Sequence, residues 1–164
     1  FVTELFTACK AQGIHTCLDT NGFVRHYDAA LDALLDVSDL VMLDIKHMNS
    51  KKHEEFTGRG NELMLENAKK IAASGMTELS IRIPVIPGFN DTPEEIRDIA
   101  VFTRELGHVK RLHLLPYHRL GQDKYDGLNR PYLMGEVKPP ANEKMQMLLK
   151  VAEEFSGVEC QIGG

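Results

Sequence analysis

The segment 39–46 constrains the fold of this chain more than any other part of the sequence. It contains the unbroken apolar run 40–43, which is typical of a strand buried on both faces of a parallel sheet. Asp44 and Lys46 follow, and opposite charges at the end of a buried strand are costly unless they pair or hold a ligand. Because ligands of parallel α/β folds collect at the carboxyl ends of strands, this segment predicts either a strand-end salt bridge or a ligand-binding edge.

Length and composition exclude several classes of protein. A chain of 164 residues is long enough for one domain with its own core, and we expect a single domain over residues 1–164. The net charge is −5 and the basic residues are scattered, so nucleic acid is not an expected partner. No apolar run approaches the roughly 18 residues of a membrane-spanning helix. Three dispersed cysteines indicate a reducing compartment, and we expect a cytoplasmic protein.

Helix and strand patterns alternate along the chain. The connections between strands are too long for hairpins, so parallel βα units with right-handed crossovers are expected. Four strong strands cannot close an eight-stranded barrel. We therefore predict an α/β fold with four to five strands and outer helices, either an open partial (β/α) barrel or an open doubly wound sheet. The predicted strands are 14–18, 39–46, 78–86, 109–117 and, more weakly, 158–162.

Two connections are predicted as loops. The first follows the second strand and contains His47, Lys51, Lys52 and His53, which we expect to be solvated because such residues are mostly exposed. The second, 119–139, contains glycine and proline without a regular period. A loop of that length inside a compact domain is usually functional or disordered.

Polar side chains recur at the ends of the predicted strands. Singly, Asp19 could bond its own turn, Arg82 could face a helix carboxylate, and His118 could be a core histidine. Together they predict one mouth that suits a zwitterionic or polyhydroxyl ligand, because carboxylates bind ammonium or hydroxyl groups and cations bind carboxylates. No nucleophile–base pair or glycine-rich phosphate loop is apparent. In chain order the polar residues are Asp19 and Thr20, Asp44 and Lys46, Arg82, and His118.

Four motifs resemble the pyruvate formate-lyase activating enzymes, a family of radical S-adenosylmethionine proteins. They are HTCLDTNG at 15–22, DLVMLDIK at 39–46, LLPYH at 114–118 and VKPP at 137–140. The resemblance spans nearly the whole chain but only the later portion of the family's pattern. It implies a partial (β/α)6 barrel in which a 4Fe-4S cluster, bound by three cysteines, holds S-adenosylmethionine. Reductive cleavage of this cosubstrate gives a 5′-deoxyadenosyl radical, which abstracts hydrogen from a glycine of pyruvate formate-lyase.

The resemblance also assigns roles to individual residues. Arg82 is matched less closely than the others because the spacing before it differs. The residues that would contact S-adenosylmethionine or lie near it are Asp44, Lys46, Arg82 and His118. The residues that would bind a monovalent cation beside the cosubstrate carboxylate are Asp19, Thr20, Met42 through its carbonyl, and Asp44.

The sequence departs from this family at the cluster motif. The family's C-x-x-x-C-x-x-C and G-G-E segments, which belong to its first two βα units, are absent, and Cys9, Cys17 and Cys160 are too dispersed to replace them. We therefore expect the carboxyl-terminal part of a glycyl-radical enzyme activase, without the first two βα units and inactive by itself. In the complete enzyme the partners would be a glycyl-radical enzyme, with pyruvate formate-lyase as first candidate, and a reductant such as flavodoxin.

Other functions stay open at this point. The chain could serve a different glycyl-radical enzyme, or it could be a cluster-free module that lends its half barrel to another chain. A Schiff-base lyase would use Lys46 as the amine nucleophile, although Asp44 and Arg82 favour a charged-ligand site over a desolvated lysine. We also expect self-association, because the strand 14–18 would offer a free sheet edge and nearby apolar residues would be partly uncovered.

Overall fold

The computed structural model describes residues 1–163 and contains a sheet of five parallel strands arranged in chain order. Because each strand pairs with its sequence neighbour and the order never reverses, all crossovers can place their helices on the same face. This arrangement confirms the predicted open α/β partial barrel and not the doubly wound alternative. The strands are β1 (Cys17–Thr20), β2 (Leu40–Asp44), β3 (Glu78–Val85), β4 (Val109–Pro116) and β5 (Glu159–Ile162).

Seven helices lie in the described chain, and one of them begins at a clear capping signal. Thr92 accepts a hydrogen bond from the backbone N–H of Glu95, with a proline at the first helical position after it. Within residues 1–163, no helix is long and apolar enough to cross a membrane. The helices are α1 (Val2–Ala11), α2 (Ala29–Asp36), α3 (Ser50–Thr57), α4 (Glu62–Ser74), α5 (Pro93–Leu106), α6 (Gln122–Gly127) and α7 (Asn142–Ser156).

The two faces of the sheet differ in character because successive side chains of a strand point to opposite sides. One face packs against the helices and forms the core, with side chains that are almost completely buried: Val41, Leu43, Ile81, Ile83, Leu112 and Leu114. The alternate positions lie on the concave face and are partly exposed, among them Asp19, Met42, Asp44, Arg82 and His113. The fold therefore separates an apolar core from a polar concave surface.

The first strand is shifted relative to its prediction. It begins at Cys17 instead of residue 14 and continues through Thr20. The chain before it is held by Asp39, whose Oδ2 accepts the N–H of Thr16 at 2.8 Å. Asp19 and Thr20 are therefore the last residues of the strand and not a turn that follows it.

The connection after β2 is not a solvated loop, so that prediction was wrong. It contains α3, capped by the side chain of Asn49. Lys51 and Lys52 are exposed as expected, but His47 and His53 are only 4% and 2% exposed. Both ring nitrogens of His47 have hydrogen-bond partners, in Glu95 and the backbone N–H of Asn49, whereas His53 bonds through Nδ1 to the carbonyl of Arg59. The segment 119–139 likewise contains the short helix α6, which has no buried residue.

Candidate functional site

Strand register brings distant polar residues to one edge of the sheet. β1 pairs with β2 so that Asp19 faces Met42, and β2 pairs with β3 so that Asp44 faces Arg82. Residues paired in this way point to the same face of a sheet. Asp19, Asp44 and Arg82 therefore meet on the concave face, near the carboxyl ends of three neighbouring strands.

Arg82 is the centre of this site. Its Nε donates to Oδ1 of Asp44 at 2.9 Å, and its Nη1 donates to Oδ2 of Asp19 at 3.0 Å. Nη2 contacts both carboxylates as well. The side chains of Arg82 and Asp44 are 14% and 19% exposed, whereas that of Asp19 is 61% exposed. The guanidinium thus bridges two carboxylates in the forked geometry that makes arginine pairs strong.

The charges of the site are balanced. Partial burial by itself would lower the pKa of Arg82, but the hydrogen bonds and negative charges of Asp19 and Asp44 outweigh burial and raise it. Lys46 Nζ donates to Oδ2 of Asp44 at 3.1 Å and is about three-quarters covered. Two carboxylates and two cations therefore lie at one edge, an arrangement that could exchange its internal pairs for those of a zwitterionic ligand.

Three of the four proposed cation ligands, Asp19, Met42 and Asp44, have side chains in contact with Arg82. Thr20 Oγ1 accepts the N–H of Gly22 at 3.0 Å, and Met42 Sδ lies 3.8 Å from Nη1 of Arg82. The carboxylates of Asp19 and Asp44 already face a cation, the guanidinium. Among residues 1–163, no group of three or more histidine, cysteine, aspartate or glutamate side chains has a metal-binding arrangement.

His118 lies just beyond the end of β4, whereas His113 lies within that strand. The hydrogen bond of His118 is local, from the N–H of Leu120 to its Nδ1 at 3.3 Å. His113 instead pairs in register with Arg82 and shares the concave face. Burial, with the nearby charges of Arg111 and Arg82, lowers the pKa of His113. The alternation of side chains along β4 is consistent with His113 on this face. Only the strand register shows that His113 lies opposite Arg82.

Three buried asparagines hold the loops around the site, and the sequence analysis missed them. Asn67 donates to the carbonyls of Gly22 and Val24 at 2.9 and 2.8 Å. Asn61 donates to the carbonyls that directly follow Lys46 in the chain. Buried amides of this kind fix loop backbones because each lost bond leaves an unsatisfied polar group. A polar residue on the inward face of α4, next to Ala68, was the available signal.

Asn90 joins the ends of β2 and β3. It is fully buried, and its Nδ2 donates to the carbonyls of Lys46 and Pro84 at 2.7 and 2.9 Å. Its Oδ1 accepts the N–H of Ile86 at 2.7 Å. All of its amide groups are used by backbone atoms, so Asn90 positions Lys46 without reaching a ligand itself.

The cysteines do not form a metal site in the described chain. Cys9 lies in α1, Cys17 in β1 and Cys160 in β5, so the last two occupy opposite edges of the sheet. Burial and the charge of Asp19 raise the pKa of Cys17, which disfavours the thiolate form that binds metals. Residues 1–163 therefore do not supply a set of iron–sulfur ligands.

Comparisons with known proteins identify the family of this chain. The model of the radical SAM superfamily matches residues 1–102. The chain is 44% identical over 155 residues to pyruvate formate-lyase 1-activating enzyme of Escherichia coli, covering 94% of this chain and 63% of the relative. It is 36% identical to the (2S)-3-sulfopropanediol dehydratase activating enzyme of Klebsiella oxytoca, covering 99% and 52%. The chain thus spans about half to two-thirds of the length of these relatives.

A solved structure has the same fold. A domain of pyruvate-formate lyase-activating enzyme from Bacteroides vulgatus superposes with a TM-score of 0.79 at 28% identity. The match covers 99% of this chain and 89% of that domain. The similarity therefore extends over the whole described sheet and its helices.

Proposed function

The chain belongs to the radical SAM superfamily, and we propose that it is the part of a glycyl-radical enzyme activase that binds the charged end of S-adenosylmethionine. Together with an iron–sulfur cluster, this cosubstrate would supply the radical that takes hydrogen from a glycine of the target enzyme. The described residues provide no cluster ligands, so we propose that this chain is inactive without a cluster-binding segment. Residues 1–164 would form a single, incomplete partial-barrel domain.

One observation carries the proposal: Arg82 bridges Asp19 and Asp44 while Lys46 pairs with Asp44, all at one sheet edge. The carboxylates can accept hydrogen bonds from an ammonium or from ribose hydroxyls, and the two cations can bind a carboxylate. Because these groups compensate one another in the free chain, the site avoids uncompensated charge before the ligand arrives. Register and Asn90 hold the groups in place.

The finer parts of the proposal rest on the family resemblance. His118 would contribute from the end of β4, near the bound cosubstrate. A monovalent cation would bind Asp19, Thr20, the Met42 carbonyl and Asp44, and Arg82 would then have to release part of its contact with the two carboxylates.

The proposed target is pyruvate formate-lyase. The 44% identity to the Escherichia coli activase supports this choice over the dehydratase activase relative at 36%. A reductant such as flavodoxin would serve the complete enzyme. The free thiols of the chain suit the cytoplasm, where we place it.

A chimera tests the function. The part of the Escherichia coli activase that precedes the matched region would be joined to this chain and mixed with pyruvate formate-lyase, S-adenosylmethionine and a reductant. Electron paramagnetic resonance should detect a glycyl radical, and Asp44→Asn should remove it, whereas Lys150→Met, at an exposed position of α7, should not. A radical on a dehydratase but not on the lyase would overturn the choice of target.

A second measurement avoids dependence on the chimera. Calorimetric titration of S-adenosylmethionine into this chain should give a saturable heat that Lys46→Met and Asp44→Asn weaken by about tenfold, the loss of one charge-assisted hydrogen bond. Equal binding by the chain and both variants would show that Asp44 and Lys46 form only a structural salt bridge.

A further inference from the structure

The connection that carries Lys46 runs against the start of α5. It spans residues 45–49, between the end of β2 and the first residue of α3. His47, the residue after Lys46, is only 4% exposed. Its Nε2 lies 3.0 Å from Oε1 of Glu95, which belongs to α5. A side chain of α5 is therefore in direct contact with the residue that follows Lys46.

The two ring nitrogens of His47 have different roles. Nδ1 accepts the backbone N–H of Asn49 at 2.9 Å, because a peptide nitrogen can only donate. Nδ1 thus carries no proton in this arrangement, and the proton of the neutral ring is on Nε2, which donates it to Glu95. Since both nitrogens are used by protein atoms, His47 has no group left for a ligand. Any effect of His47 on a ligand must pass through the backbone that it holds.

Glu95 is a fixed acceptor for this proton. Its side chain is 13% exposed, and its Oε1 also accepts from Nζ of Lys52 at 2.8 Å. Its Oε2 accepts from the hydroxyl of Thr92 at 2.9 Å, and Thr92 is the N-cap of the same helix. A carboxylate that is itself held by other donors sets both the tautomer and the orientation of the imidazole it contacts.

The peptide groups on both sides of His47 are held as well. Nδ2 of Asn90 donates to the carbonyl of Lys46 at 2.7 Å, and Nδ2 of Asn61 donates to the carbonyl of His47 at 2.6 Å. The ring of Phe89 lies against the imidazole, with 5.2 Å between the ring centres. The asparagines fix the backbone at its carbonyl oxygens, and the imidazole ties the residue between them to α5.

We propose that His47 and Glu95 are positioning residues for Lys46, through the hydrogen bond that ties the backbone next to Lys46 to α5. The inference rests on the proposed function, in which Lys46 binds the carboxylate of the cosubstrate. Lysine carries its charge on a flexible stem, so the position of its backbone limits what Nζ can reach. In the free chain Nζ reaches Oδ2 of Asp44 at 3.1 Å. Displacement of a positioning group by about 1 Å can cost about 100-fold in the function it supports.

The free chain tests this link without any ligand. In a chain labelled with ¹⁵N-histidine, the spectrum of His47 should show a proton on Nε2 and none on Nδ1. The ¹³Cγ signal of Asp44 reports on Lys46, because Oδ2 of Asp44 accepts from Nζ. Lys46→Met should move this signal, and its shift gives the scale for the other variants.

Matched substitutions of His47 separate the link to α5 from the local turn. His47→Gln places an amide N–H near the position of Nε2, so it can still donate to Glu95. His47→Asn places a carbonyl oxygen near the position of Nδ1, so it can still accept from Asn49, but it is too short to reach Glu95. We expect His47→Asn to move the Asp44 signal in the same direction as Lys46→Met, and His47→Gln to restore the parent signal. In the Lys46→Met chain, His47→Asn should cause no further shift, because its effect passes through Lys46.

Two further variants complete the comparison. Glu95→Gln changes the partner and not the histidine, and it should move the Asp44 signal in the same direction as His47→Asn. It also keeps the proposal testable if His47→Asn does not fold. His108→Asn, at an exposed histidine next to the amino end of β4, is the control and should leave the signal unchanged.

Calorimetric titration extends the test to the cosubstrate. His47→Asn should weaken the binding of S-adenosylmethionine about fivefold, the worth of one hydrogen bond, whereas His47→Gln should weaken it less than about twofold. In the Lys46→Met chain, His47→Asn should not weaken binding further. Equal weakening in both backgrounds would show general damage to the fold and would overturn the proposal.

Results from the free chain would also overturn it. A proton on Nδ1 of His47 would contradict the assigned hydrogen bonds, and an Asp44 signal that His47→Asn leaves unchanged would show that Lys46 does not depend on the link. A shift caused by His47→Gln but not by His47→Asn would assign the positioning to the local turn. If the Asp44 signal responds as expected but the parent chain does not bind S-adenosylmethionine, the proposed function fails and the link stands, so the two failures are distinguishable.

Discussion

Arg82 donates from Nε to Oδ1 of Asp44 over 2.9 Å, across the register pair that joins β2 to β3. The same guanidinium extends past Met42 to Asp19 on β1. Sheet pairing therefore assembles the charged site, since neither carboxylate is near Arg82 in sequence. We therefore expect that substitutions which break the charged site will also lower the free energy of unfolding of the sheet.

Removing the guanidinium should destabilise the chain. Arg82→Met leaves Asp19 and Asp44 facing each other without their shared cation, and we expect a loss of about 1–3 kcal/mol in the free energy of unfolding. Arg97→Met, at an exposed pair with Asp98, should cost less than about 0.5 kcal/mol. Urea unfolding followed by circular dichroism measures both. Equal losses in the two variants would contradict a structural role for the bridge.

Asn90 should contribute as much to the free energy of unfolding as a buried apolar side chain does. Asn90→Ala leaves the carbonyls of Lys46 and Pro84 and the N–H of Ile86 without their partner, so we expect a loss of about 3 kcal/mol. Gln146→Ala, at an exposed position of α7, serves as control and should change stability little. If Asn90→Ala unfolds at the same urea concentration as the control, the amide is dispensable.

The network around Glu95 makes stability depend on pH. Burial raises the pKa of Glu95, but hydrogen bonds from Lys52, Thr92 and His47 outweigh burial and lower it below its ordinary value of 4.5. A lowered folded-state pKa stabilises the chain above the unfolded value, and this stability is lost as pH falls through the folded value.

We expect Glu95→Gln to cost about 2 kcal/mol near pH 7 and progressively less below pH 4.5. Glu94→Gln is the control, because it changes the same helix turn at an exposed position. Unfolding midpoints measured from pH 7 to pH 3 provide the comparison. A difference between Glu95→Gln and the parent that is constant with pH would refute the charge-based account.

The chain should self-associate through the β1 side of the sheet. In residues 1–163, β1 pairs only with β2, and α1 has no buried residue, with Leu5 47% exposed. Uncovered apolar side chains next to a free sheet edge favour pairing between copies. Light scattering at micromolar concentration should show a dimer or larger species that Leu5→Lys dissociates. Leu133→Lys, in the exposed segment 119–139, should leave it intact; a monomeric parent chain would refute the prediction.

The chain should not hold a four-iron cluster. Its three cysteines lie in α1, β1 and β5, and cluster binding needs several thiolates at one place. After anaerobic treatment with iron and sulfide, we expect no stable cluster absorption band. A band that Cys17→Ser abolishes would show that the cysteines come together in a way the monomer does not provide.

The sequence alone indicated the five strands and predicted a polar edge, but it did not predict α3 or α6. The apolar run 40–43 indicated a buried parallel strand, and the Thr-Pro-Glu-Glu segment at 92–95 is a local signal that coincides with the start of α5. These are local signals, because apolar periodicity and helix caps depend on residues within a few positions of each other. The charged residues near the strand ends predicted a polar edge, because the carboxyl ends of parallel strands lie on one side of a sheet.

The tertiary structure decided which of those residues meet. Register joined Arg82 to Asp44 and Asp19 and placed His113 opposite Arg82 on the neighbouring strand. His53 is buried against the carbonyl of Arg59, which reaches Nδ1 only when the loop after α3 is folded. The amides of Asn61, Asn67 and Asn90 donate to carbonyls up to 45 residues away. Such contacts depend on long-range packing, which local propensity does not encode, so they could be located only once the sheet was assembled.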